Sequence, residues 1–448
     1  MEIELAYGRE GARIEVPEAN LAGVLAPEWP APLARPREAV LQALAEPVVG
    51  PSLAEVVREH VAARAATGAQ ALDSALPCDA REFTVVILVS DLTRPCPNAD
   101  VLGPILSVVR LAGVPAECVT ILIATGLHGP LVGDDVRDLL GPEIASSYRV
   151  VNHFSGRSST LASLGSTASG TPVALAREWV DADVRIATGV VEPHLMAGFS
   201  GGRKAVCPGI AGQATVRAWH APRFLEDERV MPGVLEGNPE HEEALAVADL
   251  APPHFTVNVT VDREVRATGV FAGEMRGSHE AAVAHLRQHV ARPVDGPCDI
   301  IVTTSGGWPL DATFYGAEKG LLTGLPILAE GGTFVWAAAC EDGLGSDSFA
   351  DLVMRYRTLE EFLSAITAEG ASVERDQWAL ENLSKAARRA ELVFWSDRLP
   401  REVQTHCFVT PVDSLAAGLE WAFQKHGREA RVAVMPYGPY VLPYVEGA

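Results

Sequence analysis

The sequence predicts an α/β protein of two α/β domains, with mainly parallel sheets and an active-site cleft between the domains. Short apolar runs rich in β-branched residues alternate with segments of helical spacing, which is typical of strand–helix units in a parallel sheet. Polar or glycine-rich turns bound these runs. The chain has 448 residues, of which 48% are hydrophobic, so it is long enough for two or three domains with large cores.

The chain begins with a predicted hairpin followed by helices. Residues 2–7 alternate in polarity and are expected to pair with residues 13–16 as an edge ribbon. Helical spacing follows over residues 39–44 and 52–65, after an extended proline-rich connector.

Three strand-and-turn units come next, and each strand ends in polar residues. The strands are predicted over residues 83–89, 119–124 and 184–191. Arg94, His128 and His194 stand in the turns that follow them. Because ligands of parallel sheets bind beyond the carboxyl ends of the strands, we expect these three side chains to converge on one crevice.

The turn after the third strand is the most unusual stretch of the chain. Residues 190–212 read V-V-E-P-H-L-M-A-G-F-S-G-G-R-K-A-V-C-P-G-I-A-G, with three glycines between His194 and Lys204. Such a density of glycine predicts a loop that a ligand approaches closely. Arg203 and Lys204 make this predicted site cationic.

The remaining sequence predicts a second domain. We divide the chain into an N-terminal domain, residues 1–292, and a C-terminal domain, residues 293–429, with a tail, residues 430–448, that packs back on the first domain. Further strands are predicted over residues 255–261, 298–303, 332–338, 392–395 and 431–435. Further helices are predicted near residue 220, from residue 240, and over residues 278–290, 352–366, 378–389 and 412–425.

Composition excludes several classes of partner. A formal charge of −22 disfavours nucleic acid and anionic membranes, although it leaves room for an anionic small molecule in a local basic pocket. The first residues lack the basic and apolar regions of a signal peptide, and no run of eighteen uncharged apolar residues occurs. We therefore expect a cytoplasmic protein.

These motifs together resemble the nickel-dependent lactate racemase family of 2-hydroxyacid racemases and epimerases. The matching pieces span most of the chain in order: Asp91-Leu92-Thr93-Arg94-Pro95, Ala124-Thr125-Gly126-Leu127-His128, Glu192-Pro193-His194, Gly198-Phe199-Ser200-Gly201-Gly202-Arg203-Lys204, His220, Gly306-Gly307-Trp308-Pro309-Leu310-Asp311 with Lys319, and Asp376-Gln377-Trp378. The glycine–lysine piece is the most specific of them.

The resemblance implies a cofactor and a role for each residue. The cofactor is a nickel pincer nucleotide, pyridinium-3-thioamide-5-thiocarboxylic acid mononucleotide, which separate cofactor-biosynthesis enzymes supply. Lys204 would carry it covalently, His220 would be the protein ligand of nickel, and His128 and His194 would be paired acid/base residues. Asp91, Thr93, Gly201, Gly202 and Trp378 would bind the cofactor, and Arg94, Tyr315 and Lys319 would bind a small 2-hydroxyacid substrate.

The residue types agree with that chemistry. The Cα–H of a 2-hydroxyacid is weakly acidic, but its removal as hydride to a pyridinium ring gives an ordinary 2-keto acid. Inversion then needs two bases that titrate near neutrality, and histidine fits this task. A lysine amine buried beside Arg203 is expected to have a lowered pKa and to be nucleophilic. Imidazole suits nickel beside soft sulfur donors.

Other interpretations stay open on the residues alone. His128 fits a turn, His220 a helix end, Trp378 a core, and Arg94 and Lys319 a solvated surface. A nicotinamide-dependent 2-hydroxyacid dehydrogenase is an alternative, although no strand-linked G-x-G-x-x-G is present. A non-catalytic nickel or nucleotide carrier would need Lys204 and His220 but not the histidine pair.

The resemblance does not fix the substrate. Gly316 stands where lactate racemases commonly have a glutamine that helps to hold the substrate. A small residue at this place is expected to leave room for a 2-hydroxyacid larger than lactate.

Overall fold

The computed structural model describes residues 1–67 and 83–447. The strands are β1 (Glu2–Leu5), β2 (Ala12–Glu15), β3 (Leu21–Val24), β4 (Val85–Ser90), β5 (Val119–Ala124), β6 (Arg149–Asn152), β7 (Leu161–Ser166), β8 (Pro172–Ala176), β9 (Val184–Val190), β10 (Pro193–His194), β11 (Gly198–Phe199), β12 (Phe255–Val261), β13 (Ala267–Gly273), β14 (Ala291–Val294), β15 (Cys298–Thr304), β16 (Leu328–Ala337), β17 (Glu391–Trp395), β18 (Thr410–Pro411), β19 (Val432–Met435) and β20 (Leu442–Val445). The α-helices are α1 (Pro36–Ala45), α2 (Leu53–Thr67), α3 (Asn98–Leu111), α4 (Asp134–Leu140), α5 (Pro142–Ser147), α6 (Arg177–Val180), α7 (Gln213–Trp219), α8 (Pro222–Leu225), α9 (Pro239–Ala248), α10 (Met275–Val290), α11 (Phe314–Ala317), α12 (Lys319–Leu322), α13 (Asp347–Arg355), α14 (Leu359–Ile366), α15 (Gln377–Ala387), α16 (Arg401–Gln404) and α17 (Leu415–His426).

The first sheet has six strands in the order β13-β12-β9-β4-β5-β6. All neighbours are parallel except β13, which runs antiparallel to β12. Its central strand β4 is apolar almost throughout, because α1, α2 and α3 cover one face and the elements around α7 and α9 cover the other. The strands therefore lie between two layers, and their carboxyl ends meet at one edge of the sheet.

The second sheet has six parallel strands in the order β18-β17-β16-β15-β19-β3. The hairpin of β1 and β2 packs on one face of this sheet together with α17, through Ile3, Leu5 and Ile14. The helices α11 to α15 cover the other face. Both sheets thus have the buried, two-sided form that parallel strands require.

The fold class predicted from the sequence is confirmed: the chain is α/β with two mainly parallel sheets. The strands predicted over 119–124 and 255–261 agree with β5 and β12 at both ends. One helix prediction is wrong, since residues 352–366 belong to the separate helices α13 and α14. The break has a local cause: the Thr358 side chain accepts a hydrogen bond from the backbone N–H of Glu361 and so caps a new helix.

Both ends of the chain lie with the second sheet. Strand β3, from the residues assigned to the N-terminal domain, pairs with β19, which itself lies next to β15. Within the predicted tail, β20 pairs in parallel with β14 at the predicted boundary. The division at residue 292 remains a prediction. Among the described residues, no helix combines the length and apolar character that crossing a membrane would require.

Candidate active site

A cavity of about 1150 Å³ lies between the two sheets and gathers the predicted site residues. The first sheet and its loops contribute Asp91, Thr93, Arg94, His128, His194, Gly201, Lys204 and His220 to its wall, and the second part of the chain contributes Tyr315, Lys319 and Trp378. Gly202 is the one predicted site residue that does not border this cavity. The predicted convergence of Arg94, His128 and His194 on one crevice is therefore confirmed.

Sheet order explains how the two predicted acid/base histidines come to border one cavity. His128 follows β5 and His194 follows β9, and β4 lies between those strands. Strands two places apart in a sheet are about 10 Å apart, which leaves a gap wide enough for a small acid. Arg94, which follows β4, lies at this gap.

His128 is oriented by a carboxylate. Its Nδ1 lies 2.6 Å from Asp91 Oδ2, and the other oxygen of Asp91 accepts hydrogen bonds from the Thr93 backbone N–H at 3.0 Å and hydroxyl at 2.6 Å. Burial alone would raise the pKa of Asp91, but the hydrogen bonds from His128 and Thr93 hold it below its ordinary value. Asp91 is therefore an anion that fixes the hydrogen of His128 on Nδ1 and leaves the Nε2 lone pair to the cavity.

His194 is oriented by backbone N–H donors at Nδ1, and not by a carboxylate. Its Nδ1 accepts the backbone N–H groups of Met196 and Ala197 at 3.3 and 3.2 Å, within the turn between β10 and β11. Its Nε2 lies 2.9 Å from the Nζ atom of Lys204. Burial, and then the positive charges of Lys204 and Arg94, lower the pKa of His194 well below its ordinary value.

Lys204 lines the cavity in a cationic and aromatic environment. Burial lowers its pKa well below the ordinary value, and the charges of Arg94 and Arg203 lower it further. Its Nζ atom lies 5.1 Å from the centre of the Trp219 ring. The residue therefore has the environment of a nucleophilic amine.

His220 lies between two indoles, stacked on Trp378 and edge-to-face with Trp219. Its ring centroid lies 4.2 Å from that of Trp378 and 4.4 Å from that of Trp219. Its Nδ1–H donates to the Val216 carbonyl at 2.9 Å, and burial lowers its pKa to about 3. The imidazole is therefore neutral, and its Nε2 lone pair is available for a metal.

Trp378 and Tyr315 are tied together on the wall that the second part of the chain supplies. The indole Nε1–H of Trp378 donates to the Tyr315 hydroxyl at 2.9 Å, and burial raises the pKa of that hydroxyl. Lys319 is buried nearby, and burial and the charge of Arg94 lower its pKa, against the opposing charge of Glu318. The Arg94 guanidinium lies 3.9 Å from Glu192, a loose contact that leaves its planar fork able to bind a carboxylate.

The glycines of the loop serve the packing of the protein itself, and the close approach of a ligand to the loop stays a prediction. Gly198 has a φ of +73°, and a Cβ there would lie 2.1 Å from the Val234 carbonyl oxygen. A Cβ on Gly201 would lie 2.6 Å from the Val191 side chain. The Gly202 amide donates to Asn258 Oδ1 at 2.9 Å and is therefore already used.

Gly316 does not leave the room that the sequence suggested. A Cβ at this position would lie 2.1 Å from the Leu310 carbonyl oxygen, so backbone fills the space where a side chain would start. A substrate larger than lactate stays a prediction.

Two residues of the site were missed from the sequence. Trp219 supplies an aromatic face to both Lys204 and His220, and its place directly before His220 is a signal that was available. Glu240 is fully buried, and neither carboxylate oxygen has a hydrogen-bond partner within the described chain. Burial raises the pKa of Glu240 well above its ordinary value. Nothing in its sequence context marks it.

The donor atoms that the protein supplies here fit a metal ion whose other ligands belong to a cofactor. Across residues 1–67 and 83–447, no group of three or more His, Cys, Asp or Glu side chains is arranged to hold a metal ion. His220 therefore supplies a single nitrogen, and a metal at this place needs further donors from a cofactor. A planar cofactor with soft donors, which His220 completes, satisfies that requirement.

Comparison with known proteins gives concordant matches. Residues 67–232 match the lactate racemase N-terminal domain, and residues 294–442 match the lactate racemase C-terminal domain. The chain is 32% identical over 363 residues to the lactate racemase of Lactiplantibacillus plantarum, covering 81% of this chain and 85% of that protein. It is 30% identical over 359 residues to the lactate racemase of Thermoanaerobacterium thermosaccharolyticum, covering 80% and 84%. The solved structure of the lactate racemase apoprotein from the latter organism superposes with a TM-score of 0.88 at 27% identity, covering 99% of this chain and all of that one.

The variant Gly198→Ala tests how closely the loop is packed, and Gly165→Ala is its matched control. Both glycines have a positive φ, of +73° and +89°, but only Gly198 has an atom within 4 Å of the added Cβ. We expect Gly165→Ala to cost about 1–2 kcal/mol of unfolding free energy from backbone strain. Gly198→Ala should cost a further ~1–3 kcal/mol from overpacking, measured by urea denaturation. Equal losses would contradict the steric explanation.

Asp91→Asn tests the orientation of His128. An amide at this position can present an N–H to Nδ1 and so favour the wrong tautomer, and we expect kcat to fall about 10²–10⁴-fold with little change in KM. Thr93→Val, which removes only one donor to Asp91, should cost less. Steady-state racemisation kinetics measure both, and an Asp91→Asn enzyme with normal kcat would show that the carboxylate has no such role.

Proposed function

The chain belongs to the lactate racemase family and is a racemase, and we propose that it inverts Cα of a 2-hydroxyacid by reversible hydride transfer to a nickel pincer nucleotide tethered to Lys204. When bound, that cofactor supplies a pyridinium ring that takes up the Cα hydride and returns it to the other face of the resulting 2-keto acid. Lactate or a larger 2-hydroxyacid is the substrate in this proposal. The protein residues bind the acid and handle the hydroxyl proton.

The observation that carries this proposal is the pair of histidines that follow β5 and β9 and border the same cavity. His128 Nδ1 faces Asp91, which leaves Nε2 as its free nitrogen, whereas His194 Nδ1 accepts two backbone N–H groups, which favours a hydrogen on Nε2. His128 is thus set to accept a proton, and His194 would donate one once it is itself protonated. Inversion in one direction needs this combination, and the reverse direction needs the opposite one.

The cations of the cavity support an anionic substrate. Arg94 offers a planar fork that matches a carboxylate, and Lys319 on the opposite wall adds a second charge. Both lie in a chain of formal charge −22, so the attraction is local to the cavity. Tyr315, fixed by Trp378, adds a hydroxyl beside them.

The same cavity supports the cofactor assignment. Lys204 offers a nucleophilic amine for the covalent link, and His220 offers one free imidazole nitrogen for nickel. A non-catalytic carrier would use these two residues and leave the oriented pair of histidines without a purpose.

Comparison of the parent chain with three variants separates covalent attachment of the cofactor, nickel binding and turnover. We expect protein produced together with the cofactor-biosynthesis enzymes to gain a nucleotide-sized mass and about one nickel per chain, and to racemise a 2-hydroxyacid. Lys204→Ala should lose all three properties. His220→Ala should keep the added mass but lose most nickel, and His128→Ala should keep mass and nickel while turnover falls about 10²–10⁴-fold.

Lys425→Ala is the matched control for Lys204→Ala, since Lys425 lies on α17, away from the cavity wall. Intact mass, metal analysis and chiral product analysis are the measurements. Loading of Lys204→Ala would refute the tether, full nickel in His220→Ala would refute the ligand assignment, and NAD-dependent oxidation without racemisation would favour a dehydrogenase.

A further inference from the structure

Three aromatic side chains form one part of the cavity wall, and none of them has a role in the proposed hydride transfer. We call Trp29, Tyr437 and Tyr440 the aromatic wall. The ring centroid of Trp29 lies 5.7 Å from that of Tyr440 and 6.5 Å from that of Tyr437, and both pairs are edge-to-face. Rings in this arrangement attract one another, so the wall is a continuous apolar surface.

Hydrogen bonds of the neighbouring backbone hold the aromatic wall in place. The Glu28 amide donates to the His289 carbonyl at 2.8 Å, which fixes Trp29 beside the end of α10. Tyr440 closes a short 3-10 turn, Gly438–Tyr440, and the Thr323 hydroxyl donates to the Gly438 carbonyl at 2.8 Å. The rings are therefore positioned before a ligand binds, which lowers the entropic cost of binding.

The aromatic wall lies beside the groups that are proposed to act on the acid. The turn that ends at Tyr440 packs against α12, which begins at Lys319, and against β10, which ends at His194. Burial raises the pKa of the Tyr440 hydroxyl, the charge of Glu192 raises it further, and the charge of Arg94 lowers it. Tyr440 is therefore close to the guanidinium that is proposed to bind the substrate carboxylate.

The charges around the aromatic wall favour an apolar group over a second carboxylate. Glu192 lies at the inner end of the wall, and its negative charge opposes another anion there. Arg263 lies at the other end, where its guanidinium donates to the Tyr437 hydroxyl at 3.1 Å and lies 5.1 Å from the centre of that ring. This cation is therefore already engaged by the wall itself.

We propose that the aromatic wall binds the side chain of the substrate, and that the substrates are 2-hydroxyacids with an aromatic side chain, such as 3-phenyllactate. This inference rests on the proposed function and deepens it: Arg94 and Lys319 hold the carboxylate, and Trp29 and Tyr440 receive the ring. The cavity volume of about 1150 Å³ exceeds the range of about 300–1000 Å³ that is usual for small-molecule pockets, so there is space for a ring in addition to a cofactor.

The test compares four 2-hydroxyacids as substrates of protein produced together with the cofactor-biosynthesis enzymes: lactate, malate, 2-hydroxy-4-methylpentanoate and 3-phenyllactate. We expect kcat/KM for 3-phenyllactate to exceed that for lactate and malate at least about 10-fold, because a phenyl ring buries a large apolar area. It should exceed that for the aliphatic acid about 3-fold, because rings attract rings. If one of the other three acids is racemised as well as 3-phenyllactate, the inference is overturned while the proposed function stands.

A variant of the aromatic wall tests the contact directly. We expect Trp29→Ala to lower the ratio of kcat/KM for 3-phenyllactate to that for lactate at least about 5-fold, mainly through KM, because the substrate ring loses its partner. Trp421→Ala is the matched control, since Trp421 is also half-buried but lies on α17 and does not border the cavity, and its ratio should equal that of the parent chain. An unchanged ratio in Trp29→Ala, or an equal fall in both variants, would overturn the inference.

A binding measurement separates failure of the inference from failure of the proposed function. Isothermal titration calorimetry of the parent chain without cofactor gives the Kd of lactate and of 3-phenyllactate in the absence of turnover. We expect 3-phenyllactate to bind about 10-fold more tightly. If this difference in Kd is found but no 2-hydroxyacid is racemised, the proposed function is wrong and the aromatic wall stands as a binding site for aromatic acids. If the two acids bind equally well, the inference is overturned whatever the turnover.

Discussion

The buried guanidinium of Arg203 is the constraint on which the site depends. Its Nη2 donates to the Ala197 carbonyl, and its Nη1 lies 3.0 Å from His279 Nε2 on α10, so the loop wraps around a fixed cation. Burial lowers the pKa of Arg203 to about 9, which keeps it charged at neutral pH. The side chain of the next residue, Lys204, is therefore held close to this fixed positive charge. Arg203 therefore determines both the geometry of the loop and the electrostatic environment of Lys204.

The parts of the fold that follow from local pattern could be predicted from the sequence. Buried strands such as β4, β5 and β9 are continuous apolar runs with polar residues at their ends, and parallel strands bring those ends together. The pairing of β3 with β19 could not be predicted, because Leu21–Val24 is short, has no clear alternation, and pairs with a strand some four hundred residues later. The N-terminal hairpin was predicted, but not the sheet on which it packs, for the same reason.

The candidate site, like the fold, could be predicted only in part. Residue types in strand-end turns predicted which side chains gather, since histidine, lysine and arginine have few structural reasons to stand together there. What each of them contacts was not predictable, because it depends on the turn geometry at Nδ1 of His194 and on the burial of Glu240. Glycine is ambiguous in sequence, since the chain uses it at Gly198 for contact with its own backbone, and sequence alone does not distinguish that contact from one with a ligand.

The proposed tether changes the protonation of His194, and the change favours turnover. Burial, and then the charges of Arg94, Arg203 and Lys319, oppose a proton on this ring. A thioamide nitrogen carries no positive charge and offers no lone pair, so the Nε2–H of His194 loses its acceptor and turns to the substrate. A bound carboxylate then neutralises Arg94 and Lys319, which raises the affinity of the ring for a proton. Full acid/base cycling further requires Nδ1 to leave the Met196 and Ala197 amides, whose 3.3 and 3.2 Å contacts are long enough to yield at small cost. In the proposed reaction, His194 therefore acts on the substrate only once cofactor and substrate occupy the cavity.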